Sequence, residues 1–376
     1  MKVQQFSIPN ENWRNELSSI SIDANLFLLF ISPGFNQKET FVSTLCEQFP
    51  NAKVLGCSTA GEISDVTVKD DTISLTAIQM EKVSIELVSS KIEEMNDSYA
   101  VGVAMAKKIM KPDLKHVMIL SDGLNVNGAD LVAGLKDVLP DVSITGGLAG
   151  DGADFNNTFV IHNNIIDDKL VVGLGFYGEG LNVGCSSKGG WDSFGIERLV
   201  TSSEKNVLYE LDGKPALELY KSFLGDEAQN LPSSGLLFPL SLRVNEHSKP
   251  VVRTILSVNE DDQSLTFAGN VPQGSYVRLM KANVDRLITG AEDSAKIAHK
   301  NNNRKSSELA ILISCVGRRL VLKQLVEEEV EVVRDVIGVK PSITGFYSYG
   351  EIAPFGEFSP CELHNQTMTI TTLSEC

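Results

Sequence analysis

The sequence predicts an α/β protein whose two domains contain mixed sheets, built from a strand–helix–strand–hairpin unit that recurs along the chain. Two observations carry this prediction. Residues 56–63 and 345–352 share the spacing Gly-x4-Gly-Glu-Ile, and the letters Ser-Ile-Thr-Gly at 143–146 recur at 342–345. Each copy follows an apolar run that ends in serine and then a helical stretch. A shared spacing within a shared order of elements is the mark of an internal repeat.

The elements of the three copies follow from apolar continuity in buried strands, 3.6-residue spacing in helices and alternation in half-exposed strands. The first copy has strands at 24–32, 53–57, 72–78 and 83–88 and a helix at 39–49. A helix at 99–110 leads to the second copy, with strands at 116–121, 158–163 and 169–176, a helix at 129–139 and a hairpin at 146–152. The third copy has strands at 309–314, 342–344 and 366–373 and a helix at 322–336.

A change of composition after Phe176 marks the predicted domain boundary. A glycine-dense stretch precedes Thr201–Lys205, which has the polarity of a linker, so we place the domains at 1–203 and 204–376. The second domain then begins with a strand at 208–211 and a helix at 216–224 opened by a proline. Strands at 237–244, 251–258 and 265–269 and a mostly helical stretch at 277–298 complete the segment before the third copy.

Composition limits the functional classes. The 376 residues are long enough for two domains with real cores, and the apolar fraction of 42% is that of a globular protein. A formal charge of −16 disfavours nucleic acids and anionic membranes as partners. The N-terminus has no signal-peptide core, and the longest apolar run, 26–31, is too short to span a bilayer. Six scattered cysteines are typical of a reduced, cytoplasmic protein.

The loops that follow the buried strands carry the candidate binding groups. In open α/β sheets ligands bind at the carboxyl ends of the strands, so we expect one cleft shared by the two domains. Its predicted lining is Ser58, Asp122, Gly147, Arg318 and Tyr349. An arginine at such a strand end can bind a ligand carboxylate through two parallel hydrogen bonds.

Three carboxylates, Glu62, Asp151 and Glu351, occupy what the repeat predicts to be equivalent positions. If the loops converge, these side chains meet at one site, where they could bind an amine or shift each other's protonation. The alternative is that each carboxylate caps its own hairpin. Asp122 has the same two interpretations, as a binding group or as the start of an Asp-Gly turn.

The same motifs resemble the FIST domains of signal-transduction sensors. Residues 56–63 and 146–151 are similar to the N-terminal FIST domain, and 206–213, 314–318, 345–352 and 364–367 are similar to the C-terminal one. The resemblance implies an intracellular sensor of small ligands such as amino acids. For some members it implies a haem protein that senses nitric oxide and regulates a partner histidine kinase or cyclic-di-GMP enzyme. No kinase, receiver or cyclase segment is present in this sequence, so the output is expected in another chain.

The five histidines bear on the haem expectation. His364 lies opposite the tyrosine-containing loop with apolar neighbours, which makes it the candidate axial ligand of haem iron. Its alternative role is a hydrogen bond to Glu351 or Tyr349. His116, His247 and His299 are expected to be structural. There is no Cys-x-x-Cys-His motif, so covalent c-type attachment is excluded.

Three functional classes remain. We expect a sensor and not an enzyme, because no P-loop, His-Glu-x-x-His or nucleophile-elbow motif is present. The alternatives are an enzyme that uses Asp122, Glu351, His364 or Cys315, and an interaction scaffold. The sequence leaves the ligand and the oligomeric state open, and a homo-oligomer is compatible with it. The predicted ligand-binding residues are Ser58, Thr59, Asp122, Gly147, Arg318, Tyr347, Tyr349, Glu351 and His364.

Overall fold

The computed structural model describes residues 1–9, 13–248, 250–302, 306–356 and 360–376. The chain folds as three consecutive units with the same order of elements. The first unit contains β1 (Lys2–Pro9), α1 (Trp13–Ser18), β2 (Leu26–Ile31), α2 (Lys38–Gln48), β3 (Lys53–Ser58), β4 (Glu62–Ser64), β5 (Thr67–Lys69) and β6 (Thr72–Gln79). The second contains β7 (Ser84–Lys91), α3 (Ser98–Ile109), β8 (Leu114–Ser121), α4 (Gly128–Val138), β9 (Ser143–Leu148), β10 (Val160–His162), β11 (Ile165–Asp167) and β12 (Leu170–Tyr177).

The third unit starts with β13 (Leu181–Lys188) and is then interrupted by an insertion at 191–282. The insertion contains β14 (Trp191–Ser193), β15 (Arg198–Glu204), β16 (Val207–Leu211), β17 (Lys214–Pro215), α5 (Ala216–Leu224), β18 (Leu240–Arg243), β19 (Val251–Arg253), β20 (Ile255–Asn259), β21 (Ser264–Phe267) and β22 (Tyr276–Ala282). The unit resumes with α6 (Val284–Asn301), β23 (Leu309–Cys315), α7 (Val316–Leu322), α8 (Glu328–Ile337), β24 (Ser342–Ser348), β25 (Gly350–Pro354), β26 (Cys361–His364) and β27 (Met368–Glu375).

The units form three sheets of the same strand order, which we name sheets I, II and III. Sheet I is β1-β6-β2-β3-β10-β11, sheet II is β7-β12-β8-β9-β25-β26 and sheet III is β13-β27-β23-β24-β4-β5. At the middle of each sheet two parallel strands joined by a helical crossover lie beside an antiparallel closing strand. The insertion forms a fourth, antiparallel sheet around β18, β22, β15 and β16. The predicted α/β class with mixed sheets is confirmed.

Each unit gives its hairpin to the sheet of another unit. The hairpin β4–β5 pairs with β24 in sheet III, β10–β11 pairs with β3 in sheet I, and β25–β26 pairs with β9 in sheet II. The exchange is therefore cyclic, and no sheet is built from one unit alone. Sheets II and III also contain strands from both sides of residue 203, so the two sequence domains share sheets.

The repeated glycines stand at equivalent places, as the sequence predicts. Each is fourth in the register of its parallel strand pair, in the pairs Leu29–Gly56, Ile119–Gly146 and Leu312–Gly345. A methyl group added to Gly345 would lie 1.8 Å from the carbonyl oxygen of Leu312, and the other two glycines approach their partners almost as closely. Only glycine allows the two strands this separation.

The cores explain the continuous apolar runs. One face of each sheet turns toward a common central core, where Phe30 of sheet I stacks on Phe346 of sheet III with ring centroids 4.7 Å apart. The opposite faces pack against helices, as Phe27 and Leu29 do beside α2. Because the middle strands are buried on both faces, every residue of β2 and β23 is buried and apolar or small.

Two sequence predictions in the insertion are wrong. Thr201–Lys205 is not a linker, since β15 extends to Glu204 and turns through Lys205 (φ 52°) into β16. The strand is not evident in the sequence because most of its residues are polar and, of its seven residues, Val200 alone is buried. The stretch at 277–298 begins as strand β22, in which Val277, Leu279 and Met280 are buried, and becomes helical only after Asn283 caps α6.

Gly345→Ala should destabilise the protein by about 3 kcal/mol or more, because the new methyl group collides with main-chain atoms that cannot move independently. Urea denaturation followed by circular dichroism measures the change. Gly180→Ala is the control, since the nearest atom to its added methyl group is the Lys82 Cβ at 3.4 Å. Equal stability of the two variants would contradict the close-approach explanation.

Candidate functional site

The loops after β3, β9 and β24 meet where the three units come together. They are joined in a closed ring of main-chain hydrogen bonds, from Gly150 N to Ser58 O (3.1 Å), from Tyr349 N to Leu148 O (3.3 Å) and from Ala60 N to Tyr347 O (2.8 Å). The three donors occupy equivalent positions of the repeat, and so do the three acceptors. The ring brings three predicted site residues together, namely Ser58, Tyr347 and Tyr349, and all three are buried.

Glu62 and Glu351 have matching surroundings in their two units. One carboxylate oxygen accepts from the hydroxyl three residues earlier, and the other accepts from a threonine at the start of the closing strand. The hydroxyl donors are Thr59 and Ser348, and the threonines are Thr72 (N 3.2 Å, Oγ1 2.8 Å) and Thr367 (N 3.1 Å, Oγ1 2.9 Å). Burial raises the pKa of Glu62 to about 7 and that of Glu351 to about 8. Both carboxyl groups thus cap their own hairpins.

Asp151 is not equivalent to these two residues, contrary to the sequence prediction. It lies one position nearer to its repeat glycine and remains in a loop. Its carboxylate accepts hydrogen bonds from the main-chain N–H groups of Phe155 (3.0 Å), Asn156 (2.8 Å) and Asn157 (2.6 Å) and from the Tyr349 hydroxyl. The tyrosine of the third unit is thereby anchored to the second unit.

The carboxylate of Asp122 is also hydrogen-bonded to groups of the protein itself. Its carboxylate accepts from the Asn125 N–H at 2.6 Å and from the Thr158 hydroxyl. Burial raises its pKa, and these hydrogen bonds oppose the shift. This is the geometry of the Asp-Gly turn, the second of the two predicted interpretations.

Arg318 forms a fully buried ion pair with Glu329. Its Nε and Nη2 atoms donate to Oε2 of Glu329 at 3.0 and 2.7 Å, and Nη2 also reaches the Leu287 carbonyl at 2.8 Å. The other oxygen of Glu329 accepts from Tyr347 Oη (2.5 Å) and Ser314 Oγ (3.1 Å). The carboxylate expected from a ligand is therefore supplied by α8.

The five residues predicted to line a shared cleft are close to the loop ring but do not line an open space. Ser58, Asp122 and Arg318 are fully buried, Tyr349 is 2% exposed and Gly147 lies inside sheet II. None of them contributes to the two cavities described below. Ligand binding by these residues stays a prediction that the observed geometry does not favour.

His364 ends β26 and has a different environment. Its Nε2 lies 2.9 Å from the Ala353 carbonyl, which can only accept, so Nε2 carries the proton. Burial, with the nearby Arg253, lowers the pKa of the imidazole to about 4, and the ring is therefore neutral. Nδ1 has no hydrogen-bond partner among the described residues and is not sealed from solvent. The expected bond to Glu351 or Tyr349 is not formed.

Two adjoining cavities meet at His364. The first, of about 600 Å³, lies between α4, the β18–β19 region of the insertion and the β25–β26 hairpin. The second, of about 370 Å³, lies toward β13, β14 and α6 and includes Lys188 and Trp191. Both walls contain His364 and Phe355, whose rings are 5.3 Å apart. A mainly apolar cavity with a few converging polar groups is the usual form of a small-ligand site.

Arg253 lines the larger cavity and was not among the site residues that the sequence predicts. It is 7% exposed, and among the described residues it donates only to main-chain carbonyls, those of Asn270 (3.0 Å), Val252 (3.2 Å) and Leu363 (3.2 Å). Burial lowers its pKa to about 10. The signal in the sequence was a single arginine within the apolar run 251–256, since such a residue must find partners when the strand is buried.

The histidines of the second unit, His116 and His162, are held by hydroxyl groups. His116 is buried between Ser143 and Thr145, with Nδ1 and Nε2 each 3.1 Å from a hydroxyl. His162 is half-buried, with Nδ1 3.1 Å from Ser89 Oγ. Within the described ranges, no group of three or more His, Cys, Asp and Glu side chains is arranged to hold a metal ion.

Glu329→Gln should lower the free energy of unfolding by about 3–5 kcal/mol, because Arg318 then keeps a buried charge without a counterion. Asp65→Asn is the control: it removes the partner of Arg334 in an ion pair whose carboxylate is 63% exposed, and should cost under about 1 kcal/mol. Denaturant titration of both variants decides. A small loss for Glu329→Gln would show that the buried pair contributes little.

The raised pKa of Glu351 predicts a pH dependence of stability. Between about pH 4.5 and 8 the folded protein keeps this proton while the unfolded chain releases it, so stability from this group falls as the pH rises through that window. Glu351→Gln should flatten the decline, measured as the melting temperature at a series of pH values. An unchanged slope would assign the pH dependence to other groups.

Comparison with known proteins gives the family. Residues 25–214 match the FIST N domain, and residues 216–354 match the FIST C domain. An uncharacterised protein of Methanocaldococcus jannaschii is 24% identical over 343 residues, which cover 81% of this chain. The chain spans 65% of that relative's length.

A solved structure, that of a cyanuric acid hydrolase from A. caulinodans, aligns with all of this chain and 99% of its own, with 7% identity and a TM-score of 0.34. That score is too low to carry an argument. None of the helices in the described ranges is both long and apolar enough to cross a membrane. The two domain matches together cover most of the sequence, and the chain belongs to the FIST family.

Proposed function

We propose that this protein senses a small ligand that binds beside His364, in the two cavities between the repeated units and the insertion. The single observation that carries the proposal is the state of His364. It is a buried, neutral imidazole that has one nitrogen fixed on the Ala353 carbonyl and the other available to a ligand. Because Nδ1 is not sealed from solvent, a ligand in the cavities can reach it.

The residues at this site fit haem. A neutral imidazole that donates its other N–H to a backbone carbonyl is oriented and made more basic for metal binding. The mainly apolar walls suit a porphyrin, and Arg253, a cation on the same walls, could pair with one of its carboxylates. When bound, haem would supply an iron centre for nitric oxide. An amino-acid-like ligand is the other candidate, since the same groups suit its carboxylate and its ammonium.

A sensory role, as opposed to an enzymatic one, is supported by the state of the candidate catalytic groups. Glu351 and Asp122 are held by hydrogen bonds within their own turns. Burial raises the pKa of the Cys315 thiol well above its usual value, so the thiolate needed for nucleophilic attack is suppressed. These groups stabilise the fold and lie outside both cavity walls.

The position of the cavity suggests how binding is transmitted. Its walls come from the second unit (α4), the third unit (β25–β26) and the insertion. Asn270 connects them, because its carbonyl accepts from Arg253 while its side chain contacts Asn127 (2.7 Å) and Asp130 (2.6 Å) at the start of α4. A ligand that prefers one arrangement of these walls shifts the population toward it.

The output in this proposal is a histidine kinase or cyclic-di-GMP enzyme in another chain, as in the family members that the motifs resemble. The formal charge of −16 supports a protein partner over nucleic acid or an anionic membrane. A cytoplasmic location is supported by the cysteines, because all six lie in described ranges and no two form a disulfide.

His364→Ala should abolish or strongly reduce the Soret band of haem-reconstituted protein while leaving the fold intact, because it removes the one imidazole on the cavity walls. Absorption spectra of protein grown with and without added haem, together with circular dichroism, make the measurement. If wild-type protein binds no haem, calorimetry with a panel of amino acids replaces the spectrum, and binding should again require His364.

His162→Ala is the matched control, since His162 lies on an edge hairpin of sheet I, outside both cavity walls. It should leave the spectrum and amino-acid binding unchanged. A His364→Ala variant that binds every ligand as wild type does would contradict the proposed site. Equal losses in the two variants would point to a general effect on folding.

A further inference from the structure

Arg253 combines features that a purely structural arginine does not need. Its side chain is more than nine-tenths buried, and no carboxylate among the described residues pairs with it. Its Nε and Nη1 atoms donate to three main-chain carbonyls, whereas Nη2 has no acceptor among the described residues and is not sealed from solvent. Arg253 lines the larger cavity.

The contrast with Arg318 shows what is missing at Arg253. Arg318 is fully buried, and Glu329 neutralises it at 2.7 Å. Glu362 is the acidic side chain whose charge acts on Arg253. Glu362 is exposed, and its charge opposes the lowering of the Arg253 pKa by burial. A buried cation of this kind is stabilised when an anion with two coplanar oxygens approaches its free edge.

We propose, building on the proposed function, that the cavity selects ligands with a carboxylate, which pairs with Nη2 of Arg253. The apolar walls, including Val132, Leu363 and Phe355, then contact an apolar or aromatic body. His364 Nδ1 has a free lone pair, which suits the ammonium N–H of an amino acid or the iron of haem. The ligand class is therefore an apolar carboxylate that also carries a partner for this lone pair, and it includes aromatic amino acids and haem with its propionate side chains.

The first test changes the ligand and leaves the protein as it is. L-Phenylalanine is compared with L-phenylalaninamide by calorimetry, and haemin is compared with its dimethyl ester by absorption titration. The carboxylate form should bind at least about 30-fold more tightly than the amide or ester, in which an uncharged group replaces the carboxylate, since an unpaired buried charge remains when the carboxylate is removed. The pair that shows this difference also identifies which source supplies the carboxylate.

The second test changes the protein. Arg253→Gln should reduce the carboxylate-to-neutral ratio to about one. The matched control is Arg243→Gln, because Arg243 lies in the neighbouring strand, pairs with Glu197 and is outside both cavity walls. That variant should keep the wild-type ratio. Should Arg253→Gln fail to fold, the comparison of ligands on wild-type protein decides alone.

The outcomes separate the two proposals. Equal affinity of wild-type protein for the carboxylate and neutral forms would overturn the role of Arg253 while leaving a ligand site beside His364. Binding of neither member of either pair would overturn the proposed function, and the carboxylate assignment with it. A ratio retained in Arg253→Gln would show that another group recognises the carboxylate and that Arg253 only clamps three carbonyls.

Discussion

The cyclic exchange of hairpins is the constraint on which the rest of the structure depends. Each sheet is completed by strands from another unit, and the loops leading to those hairpins are tied by the ring of hydrogen bonds through Ser58, Leu148 and Tyr347. No unit can complete its own sheet, so the units stabilise one another, and the exchanged hairpins pair with β3, β9 and β24, which would otherwise be edge strands. The glycines at 56, 146 and 345 allow the close approach of the parallel strands that lead into these loops.

Where the three units meet, few polar side chains remain available to bind a ligand. The carboxylates and tyrosines there are bound to one another, as in the cluster of Arg318, Glu329 and Tyr347. The cavities lie instead where the repeat is broken, between the scaffold and the insertion at 191–282. In this protein the repeated parts hold the fold together, and the part without a counterpart in the other units supplies Arg253 and much of the cavity wall.

The repeat can be predicted from the sequence because it depends on local features. The glycine spacing and the strand–helix–strand order both lie within a single copy. The sequence could not predict the hairpin exchange, since pairs such as Thr344–Ser64 join residues with no common local pattern. The sequence predicts that Arg318 lies at a strand end, but it does not predict that Glu329 is its partner. Four glutamates lie near the start of α8, and only the phase of the helix decides that Glu329 turns inward. The sequence indicates His364 because its neighbours in the chain are apolar, and some of those neighbours line the cavity.

Arg253 gives the proposed ligand site a physical basis for a response to binding. The guanidinium is held by carbonyls from β19, the segment after β21 and β26, so its charge is shared among segments of the insertion and the third unit. Burying this charge without a counterion costs free energy, and the cost depends on how closely those segments pack around it. In the proposed function, a ligand that neutralises the charge lowers that cost most where these segments pack most closely around the guanidinium. We therefore propose that binding is coupled to the packing of the insertion against the repeated scaffold, a junction whose movement a partner protein could detect.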